Sequence, residues 1–222
     1  MSPADTHAGN RPDPECTSPK VDSARTLAEQ YPEDRMHLEQ VTRLALMLFD
    51  ALHRIHRLGR PERNLLCCAA LLHDIGISQG FKGHHKSSLK MIQQADLPAL
   101  TTEERDIVAN VARYHRKAAP GDKHKAYRAL SPEAQELVRR LAALLRLADG
   151  LDRAHENAVR AVKATFSGRP VQCRIELHGV GDLAFAAWGA RRKAGLFEDV
   201  FGMPIRFIPV GRSDDGGRPW GA

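Results

Sequence analysis

The sequence has 222 residues, of which 33 are Lys or Arg and 27 are Asp or Glu, so its formal net charge is +6 at pH 7. This length can bury a full core and favours one main domain with a small appendage. No apolar run is long enough to span a membrane, and the polar N-terminus lacks a signal-peptide core, so we expect a cytoplasmic protein. The positive charge favours an anionic partner.

The two ends of the chain carry no periodic apolar pattern. Residues 1–24 are rich in Pro, Ser, Asp and Thr and are predicted to be a disordered leader. The Gly-rich residues 211–222 are predicted to fray. Between them, we expect a helical domain over residues 25–156 and a small subdomain over residues 157–210. The four cysteines form no CxxC pair and indicate neither a disulfide framework nor a cysteine-zinc site.

Apolar residues at helical spacing predict the first two long helices. The first covers residues 33–58, and its apolar stripe extends back to His37, which therefore faces the core. The second ends with the doublet His73-Asp74, and Gly76 stands where a left-handed C-cap is expected. Taken alone, His37 also fits a half-buried histidine that binds a backbone carbonyl.

Two further helices bring more histidines toward the same region. His84 and His85 lie at the start of one helix, after a glycine-containing loop. Thr101 to Glu104 form a capping-box pattern that opens the next helix, and His115 continues the inward face of that helix. The alternative for His84 and His85 is that both simply line a loop.

The last long helix is predicted to be the central buried one. It opens with the cap and proline of Ser131-Pro132 and is apolar on almost all sides. Asp149 interrupts its apolar face, and burying this carboxylate without a partner would cost several kcal/mol. A metal ion or a salt bridge to Arg146 or Arg153 would satisfy it.

From residue 157 the apolar pattern changes to a period of two. Strands are predicted over Val159–Phe166, Val171–Leu177 and Ile205–Val210, with one helix over 182–201 covering the antiparallel sheet. The predicted fold is therefore mainly α, with a helical bundle followed by a small β-β-α-β part. This sheet could also pair two copies of the chain as a homodimer, although no residue indicates it.

The His73-Asp74 doublet is the main chemical signal in the sequence. A carboxylate at the end of a buried helix needs a cation or several hydrogen-bond donors, because the helix dipole disfavours negative charge there. A metal ion would meet this need if other ligands converge on it. The candidates elsewhere in the chain are His37, His84, His85, His115 and Asp149.

Several strings in the sequence resemble known phosphatase families. LLHDIG, HHKSS, ARYHRK and LAALLRLADGLDR, followed by the strand-strand-helix-strand tail, resemble the C-terminal region of exopolyphosphatases and guanosine pentaphosphate phosphatases. A histidine on an early helix, the doublet and a late aspartate also resemble the HD superfamily of metal-dependent phosphohydrolases. The resemblance implies that His37, His73, Asp74 and Asp149 hold one ion. It also allows a second ion, held by His115 with His84 or His85 and bridged by Asp74.

The implied ligands are nitrogen and oxygen without thiolate. This set suits manganese or iron best, with magnesium, cobalt, nickel or zinc as alternatives. The ion would activate water and polarise a phosphoryl oxygen, with Asp74, Arg113 and Lys117 as catalytic groups. The residues expected to bind the phosphates of the substrate are Lys86, Arg113, Arg116, Lys117 and Arg146.

The resemblance implies a metal-dependent phosphohydrolase that acts on a nucleotide, a guanosine polyphosphate or a short polyphosphate. This chain is too short for the actin-like domain of those phosphatases, so their exopolyphosphatase activity is not carried over. HD proteins often have a lysine shortly after the doublet, where Ile77 and Ser78 stand here, and Lys82 or Lys86 would have to replace it. The alternative is a non-catalytic polyphosphate- or nucleotide-binding module that acts with a separate phosphatase chain. Nucleic acid is not favoured, because aromatic and basic residues do not alternate.

Overall fold

Residues 17–31 and 34–210, the part of the chain that this computed structural model describes, contain ten α-helices, one 3₁₀ helix and three β-strands joined by loops. Residues 1–16 of the predicted leader and the predicted tail over residues 211–222 lie outside the described residues. The helices are α1 (Pro19–Ala28), α2 (Arg35–Ala51), α3 (His53–His56), α4 (Arg60–Leu72), α5 (His84–Gln94), α6 (Thr102–Arg113), α7 (Lys125–Arg128), α8 (Pro132–Leu151), α9 (Leu183–Arg191) and α10 (Gly195–Phe201). The strands are β1 (Val159–Ser167), β2 (Gln172–Gly179) and β3 (Ile205–Val210).

Helix α1 begins within the segment that is predicted from the sequence to be a disordered leader. Ser18 is its N-cap, with the backbone N–H of Val21 donating to the serine hydroxyl, and Pro19 follows as the first helical residue. Val21 and Ala24 are fully buried against the core. Residues 19–24 are therefore a packed helix, and the prediction of a leader up to residue 24 is wrong for them.

The first predicted long helix is interrupted near its end. Helix α2 stops at Ala51, and α3 is a separate short turn. The buried ring of His56 explains the break, because its Nε2 donates to the carbonyl of Phe49 at 2.7 Å and its Nδ1 accepts from Leu58 N at 2.9 Å. These side-chain bonds satisfy backbone groups that a continuous helix would otherwise have paired.

The glycine after the His-Asp doublet does not have the predicted role. Helix α4 ends at Leu72, a 3₁₀ helix covers Ile75–Gln79, and Gly76 lies inside it without the positive φ of a left-handed cap. A Cβ at Gly76 would lie 2.3 Å from the carbonyl oxygen of His84 and 2.5 Å from Ser88 N. Glycine is needed here because the 3₁₀ helix packs directly onto the start of α5.

Helix α8 is the central element, as its apolar pattern predicts. The hydroxyl of Ser131 caps it, and its residues Leu141, Leu144, Leu145 and Leu147 are fully buried. The capping box of Thr101 and Glu104 at the start of α6 is also present. Helices α2, α4, α6 and α9 pack against α8, so the ends of these helices meet around one end of the core.

The small sheet differs from its prediction in two respects. Its strand order is β1-β2-β3, with β1 antiparallel to β2 but β2 parallel to β3, because the chain between them crosses over through helices. The single covering helix predicted over 182–201 is two helices, α9 and α10. Helix α9 packs between the sheet and α8. Within the described residues, no helix is both long and apolar enough to cross a membrane.

Candidate metal centre

Asp74 lies at the meeting point of four elements. Its Oδ1 lies 3.1 Å from His84 Nε2 at the start of α5 and 3.4 Å from His115 Nε2 just after α6. Its Oδ2 lies 3.5 Å from Nε2 of His73, the C-cap of α4. A fourth imidazole, His37 on α2, is 5.6 Å from His73 between ring centroids.

Three of these rings are held by the backbone through the nitrogen that faces away from Asp74. In each case Nδ1–H donates to the carbonyl three residues earlier, which fixes the tautomer and leaves Nε2 with its lone pair. The guanidinium of Arg116 donates to His84 Nε2 at 3.2 Å, in agreement with this assignment. The backbone contacts are His73 with Ala70 at 2.7 Å, His84 with Phe81 at 2.9 Å and His115 with Ala112 at 2.8 Å.

This arrangement fits a divalent cation. His73 Nε2 and Asp74 Oδ1 are buried and have no hydrogen-bond partner within the described part of the chain. A buried lone pair facing a buried carboxylate oxygen is unfavourable unless a positive ion lies between them. Ligand atoms of His37, His73 and Asp74 lie within 4.8 Å of one another, and so do those of Asp74, His84 and His115. The two groups share Asp74.

His37 lies between two carboxylates, that of Asp149 in α8 and that of Asp152, the C-cap of α8. Its Nδ1 lies 2.8 Å from Oδ2 of Asp152, and its Nε2 lies 3.5 Å from Oδ1 of Asp149. Burial by itself would lower the pKa of His37, but the hydrogen bonds to Asp149 and Asp152 outweigh it and raise this pKa to about 10. At neutral pH the metal-free protein therefore carries a proton on both ring nitrogens of His37.

Asp149 has a partner that the sequence did not suggest. The alternative salt bridge to Arg146 or Arg153 is not formed among the described residues, and the ammonium of Lys193, between α9 and α10, pairs with Asp149 Oδ2. Burial raises the pKa of the Asp149 carboxyl, but Lys193 and His37 outweigh this effect and hold it well below its usual value. Asp149 is therefore ionised and faces both the lysine and His37.

The pKa values of Asp74 and His115 are both lowered from their ordinary values. Burial would raise the pKa of Asp74, but His73, His84 and His115 keep it well below the ordinary value. Burial lowers the pKa of His115 to about 3, although Asp74 and Asp149 oppose the shift. At neutral pH Asp74 is a carboxylate and His115 a neutral imidazole, which are the forms that bind a metal ion.

The structure also separates His84 from His85. His84 is buried and points at Asp74, whereas His85 is half-buried, belongs to neither ligand group, and lies 6.1 Å from His84 between ring centroids. Of the two candidates that the sequence left open, His84 is the one with ligand geometry.

A cleft of about 1150 Å³ opens above this cluster. It is lined by three of the five predicted phosphate-binding residues, Arg116, Lys117 and Arg146, but not by Lys86 or Arg113. Some of the N–H donors of Arg146 are already used, because its guanidinium donates to the carbonyls of Tyr114 and Lys117. These bonds stabilise the loop after α6. The other cationic residues that line the cleft are Arg153, Arg192 and Lys193.

Residues 20–179 match the protein family described as Ppx/GppA phosphatase, domain III. This match covers more than half of the chain and includes the His-Asp cluster, which consists of His37, His73, Asp74, His84, His115, Asp149 and Asp152, but not Lys193. The chain belongs to this family. Its domain III region ends before α9, so Lys193 and the part of the cleft that α9 provides lie outside the match.

Two curated relatives of this domain III chain are named as enzymes, and both are considerably longer than this chain. The guanosine-5'-triphosphate,3'-diphosphate pyrophosphatase of Vibrio vulnificus (strain YJ016) is 30% identical over 98 residues, which is 42% of this chain and 20% of that protein. The enzyme of the same name from Vibrio campbellii (strain ATCC BAA-1116) is 31% identical over 94 residues, 42% of this chain and 19% of that protein. The chain thus matches about one fifth of the length of these relatives.

Sequence reasoning missed two residues of this domain III site. Asp152 lies one turn after Asp149 in the string LADGLDR, at a spacing that places both on one helix face, and this signal could have identified it. Lys193 gave no usable signal, because its neighbours Arg191 and Arg192 are also cationic and only the packing of α9 on α8 selects it.

We expect metal binding at pH 7 to release about one proton for each ion that His37 binds, because this imidazole must lose its Nε2 proton to become a ligand. Calorimetric titration with Mn²⁺ in buffers of different ionisation enthalpy measures this release. Asp152→Asn should lower the pKa of His37, reduce the release, and weaken metal binding about 10- to 100-fold. His178→Ala is the control, because His178 is a partly exposed histidine on β2 that lies outside both ligand groups. Binding without proton release would contradict the assignment of His37.

Proposed function

We propose that this protein is an HD-type metal-dependent phosphohydrolase that cleaves a phosphoester or phosphoanhydride. The observation that carries the proposal is the convergence of three backbone-oriented Nε2 atoms on the carboxylate of Asp74, at the base of a cleft lined with arginine and lysine. Membership in the Ppx/GppA phosphatase domain III family supports a phosphate-containing small molecule as the partner.

His37, His73, Asp74 and Asp149 would hold one ion, and His84 and His115 would hold a second one that shares Asp74. Manganese or iron is favoured, since all donors are imidazole nitrogens or carboxylate oxygens. When bound, such an ion lowers the pKa of a coordinated water and withdraws electron density from a phosphoryl oxygen.

The side chains of the cleft have separate tasks in this proposal. Asp74 is ionised and balances the positive charge at the centre, while the buried backbone contacts of the histidines hold their rings before substrate arrives. Arg116 and Lys117 directly follow His115 and line the cleft, so they would bind the phosphate oxygens and stabilise the negative charge that develops on them. The catalytic role proposed for Asp74 and Lys117 is compatible with these positions, whereas Arg113 does not line the cleft.

Guanosine polyphosphates are the first substrates to test, since the two curated relatives are named as guanosine-5'-triphosphate,3'-diphosphate pyrophosphatases. Other nucleotides and short polyphosphates offer the same phosphate chemistry. The region shared with those relatives is only about one fifth of their length.

A second candidate is a non-catalytic module that binds polyphosphate or a nucleotide beside a separate phosphatase chain. One observation favours it: cations of the protein itself already contact two proposed ligands, Lys193 at Asp149 and Arg116 at His84. In such a module these contacts would persist and no metal would be required. Elemental analysis of protein purified without added metal separates the two candidates.

The hydrolase proposal is tested by assaying phosphate release from guanosine tetraphosphate, GTP, tripolyphosphate and p-nitrophenyl phosphate. We expect turnover of at least one of them with Mn²⁺ or Fe²⁺ and none with EDTA, and bound metal in the purified protein. Protein that is metal-free, inactive with every ion and still binds tripolyphosphate in a salt-sensitive manner would support the module instead.

A further inference from the structure

One wall of the cleft is aromatic and exposed. Phe185 and Trp188, on α9, stack with ring centroids 5.3 Å apart and an angle of 26° between their planes. Phe185 is 39% exposed and Trp188 is 45% exposed, and Phe185 lines the same cleft as Asp74 and His115. Two large rings that stay in water on a helix whose other side is buried indicate a binding surface.

Two arginines accompany these rings. The guanidinium of Arg192 lies 5.0 Å from the centroid of the Trp188 ring, and that of Arg153 lies 5.6 Å from it. Within residues 17–31 and 34–210, neither arginine forms a salt bridge with a carboxylate. Both line the cleft, so their charges are available to an anion that lies beside the aromatic rings.

Close packing fixes this wall beside the His-Asp cluster. A Cβ at Gly189 would lie 2.2 Å from the carbonyl oxygen of Gly150, and a Cβ at Gly150 would lie 2.7 Å from Cα of Ala190. The glycines let α9 approach α8 at backbone distance directly after Asp149. The position of Phe185 relative to Asp149 is therefore set by rigid helix packing rather than by a loop.

We propose that Phe185 and Trp188 form a stacking platform for the base of a nucleoside polyphosphate, whose phosphates extend past Arg153 and Arg192 toward Asp74. This inference rests on the proposed function, because it places the phosphates at the His-Asp cluster, and it selects a nucleotide over inorganic polyphosphate. An inorganic polyphosphate would use the cations of the cleft but leave the two rings in water. Base stacking on an aromatic side chain contributes enough to change affinity about tenfold or more.

Phe81 is the competing platform on another wall. It is 70% exposed, but the guanidinium of Arg116 lies 5.6 Å from its ring centroid and the ring of His84 lies 5.3 Å from it. Phe81 thus lies beside residues proposed to bind metal and phosphate, where a base would displace the phosphates. The Phe185 platform lies on α9, next to arginines that pair with no carboxylate in the described part of the chain, and is the better fit for a base.

The test measures binding of GTP and of inorganic tripolyphosphate by calorimetry in EDTA, so that hydrolysis does not enter. We expect GTP to bind about tenfold more tightly than tripolyphosphate. Phe185→Leu, which keeps an apolar side chain but removes the ring, should bring the two affinities together and leave that for tripolyphosphate unchanged. In a Trp220→Phe background, Trp188 is the one remaining tryptophan of the two in the sequence, and GTP but not tripolyphosphate should quench its fluorescence.

The outcomes distinguish this inference from the proposed function. Equal affinity for GTP and tripolyphosphate, or a preference for GTP that Phe185→Leu retains and Phe81→Leu removes, would overturn the platform while leaving the hydrolase open. A preference that depends on Phe185 would support it even if no substrate is turned over. Self-association that Phe185→Leu abolishes, with no preference for GTP, would identify the surface as a contact between copies and overturn the proposal.

Discussion

Replacing Asp74 with alanine is expected to remove the bound metal and to lower the rate of phosphate-ester hydrolysis roughly a thousandfold or more. Asp74 is the carboxylate shared by both groups of potential ligands, with one oxygen near His84 and His115 and the other near His73. Without it, no carboxylate joins the two groups of imidazoles, and Asp149 is the one proposed anionic ligand that remains to balance the metal charge. Elemental analysis and the hydrolysis assay on the same preparation measure both effects.

Asp96→Ala is the matched control for this change. Asp96 is an exposed carboxylate between α5 and α6, so its replacement alters the net charge equally without touching the cleft. We expect this variant to keep wild-type metal content and rate. An Asp74→Ala protein that retains both would reject the metal centre, and one that retains metal but loses turnover would assign Asp74 a role in the chemical step alone.

The second large effect is expected for Lys193→Met. The ion pair between Lys193 and Asp149 is mostly buried, and removing the ammonium leaves a buried carboxylate that keeps its contact with His37 but loses the cation that lowers its pKa most. Breaking such a pair should lower the free energy of unfolding of the metal-free protein by about 3 kcal/mol. For a chain of this size, the corresponding fall in Tm is about 6 to 12 °C. Thermal unfolding in EDTA measures it.

Added Mn²⁺ should restore much of this loss, because a divalent ion can neutralise Asp149 in place of the lysine. Lys20→Met is the comparison, since its pair with Glu104 is more exposed and should contribute less than about 1 kcal/mol. If Mn²⁺ restores no stability to the Lys193 variant, Asp149 is not a ligand and serves only to hold α8 against the segment between α9 and α10. An unchanged Tm in EDTA would show that His37 stabilises the buried negative charge of Asp149 without help from Lys193.

The helical part of the fold could be predicted because its signals are local. Caps such as Ser131 and Thr101 satisfy backbone groups within one turn of the chain, and the apolar spacing of α8 follows from burial on all sides. Errors occurred where side-chain contacts or packing between elements override the helical pattern. The side chain of His56 ends α2, and the packing of the 3₁₀ helix against α5 explains Gly76.

The sequence by itself determined which residue types are available for the candidate centre: the doublet of His73 and Asp74, histidines on three other elements and an aspartate in a buried helix. It could not choose between His84 and His85 or give Asp149 its partner. Those choices depend on which way each side chain faces after α5, α8 and α9 pack together. Ring direction and charge pairing across 44 residues of chain, as between Lys193 and Asp149, are set by tertiary contacts alone, because no local rule relates such distant positions.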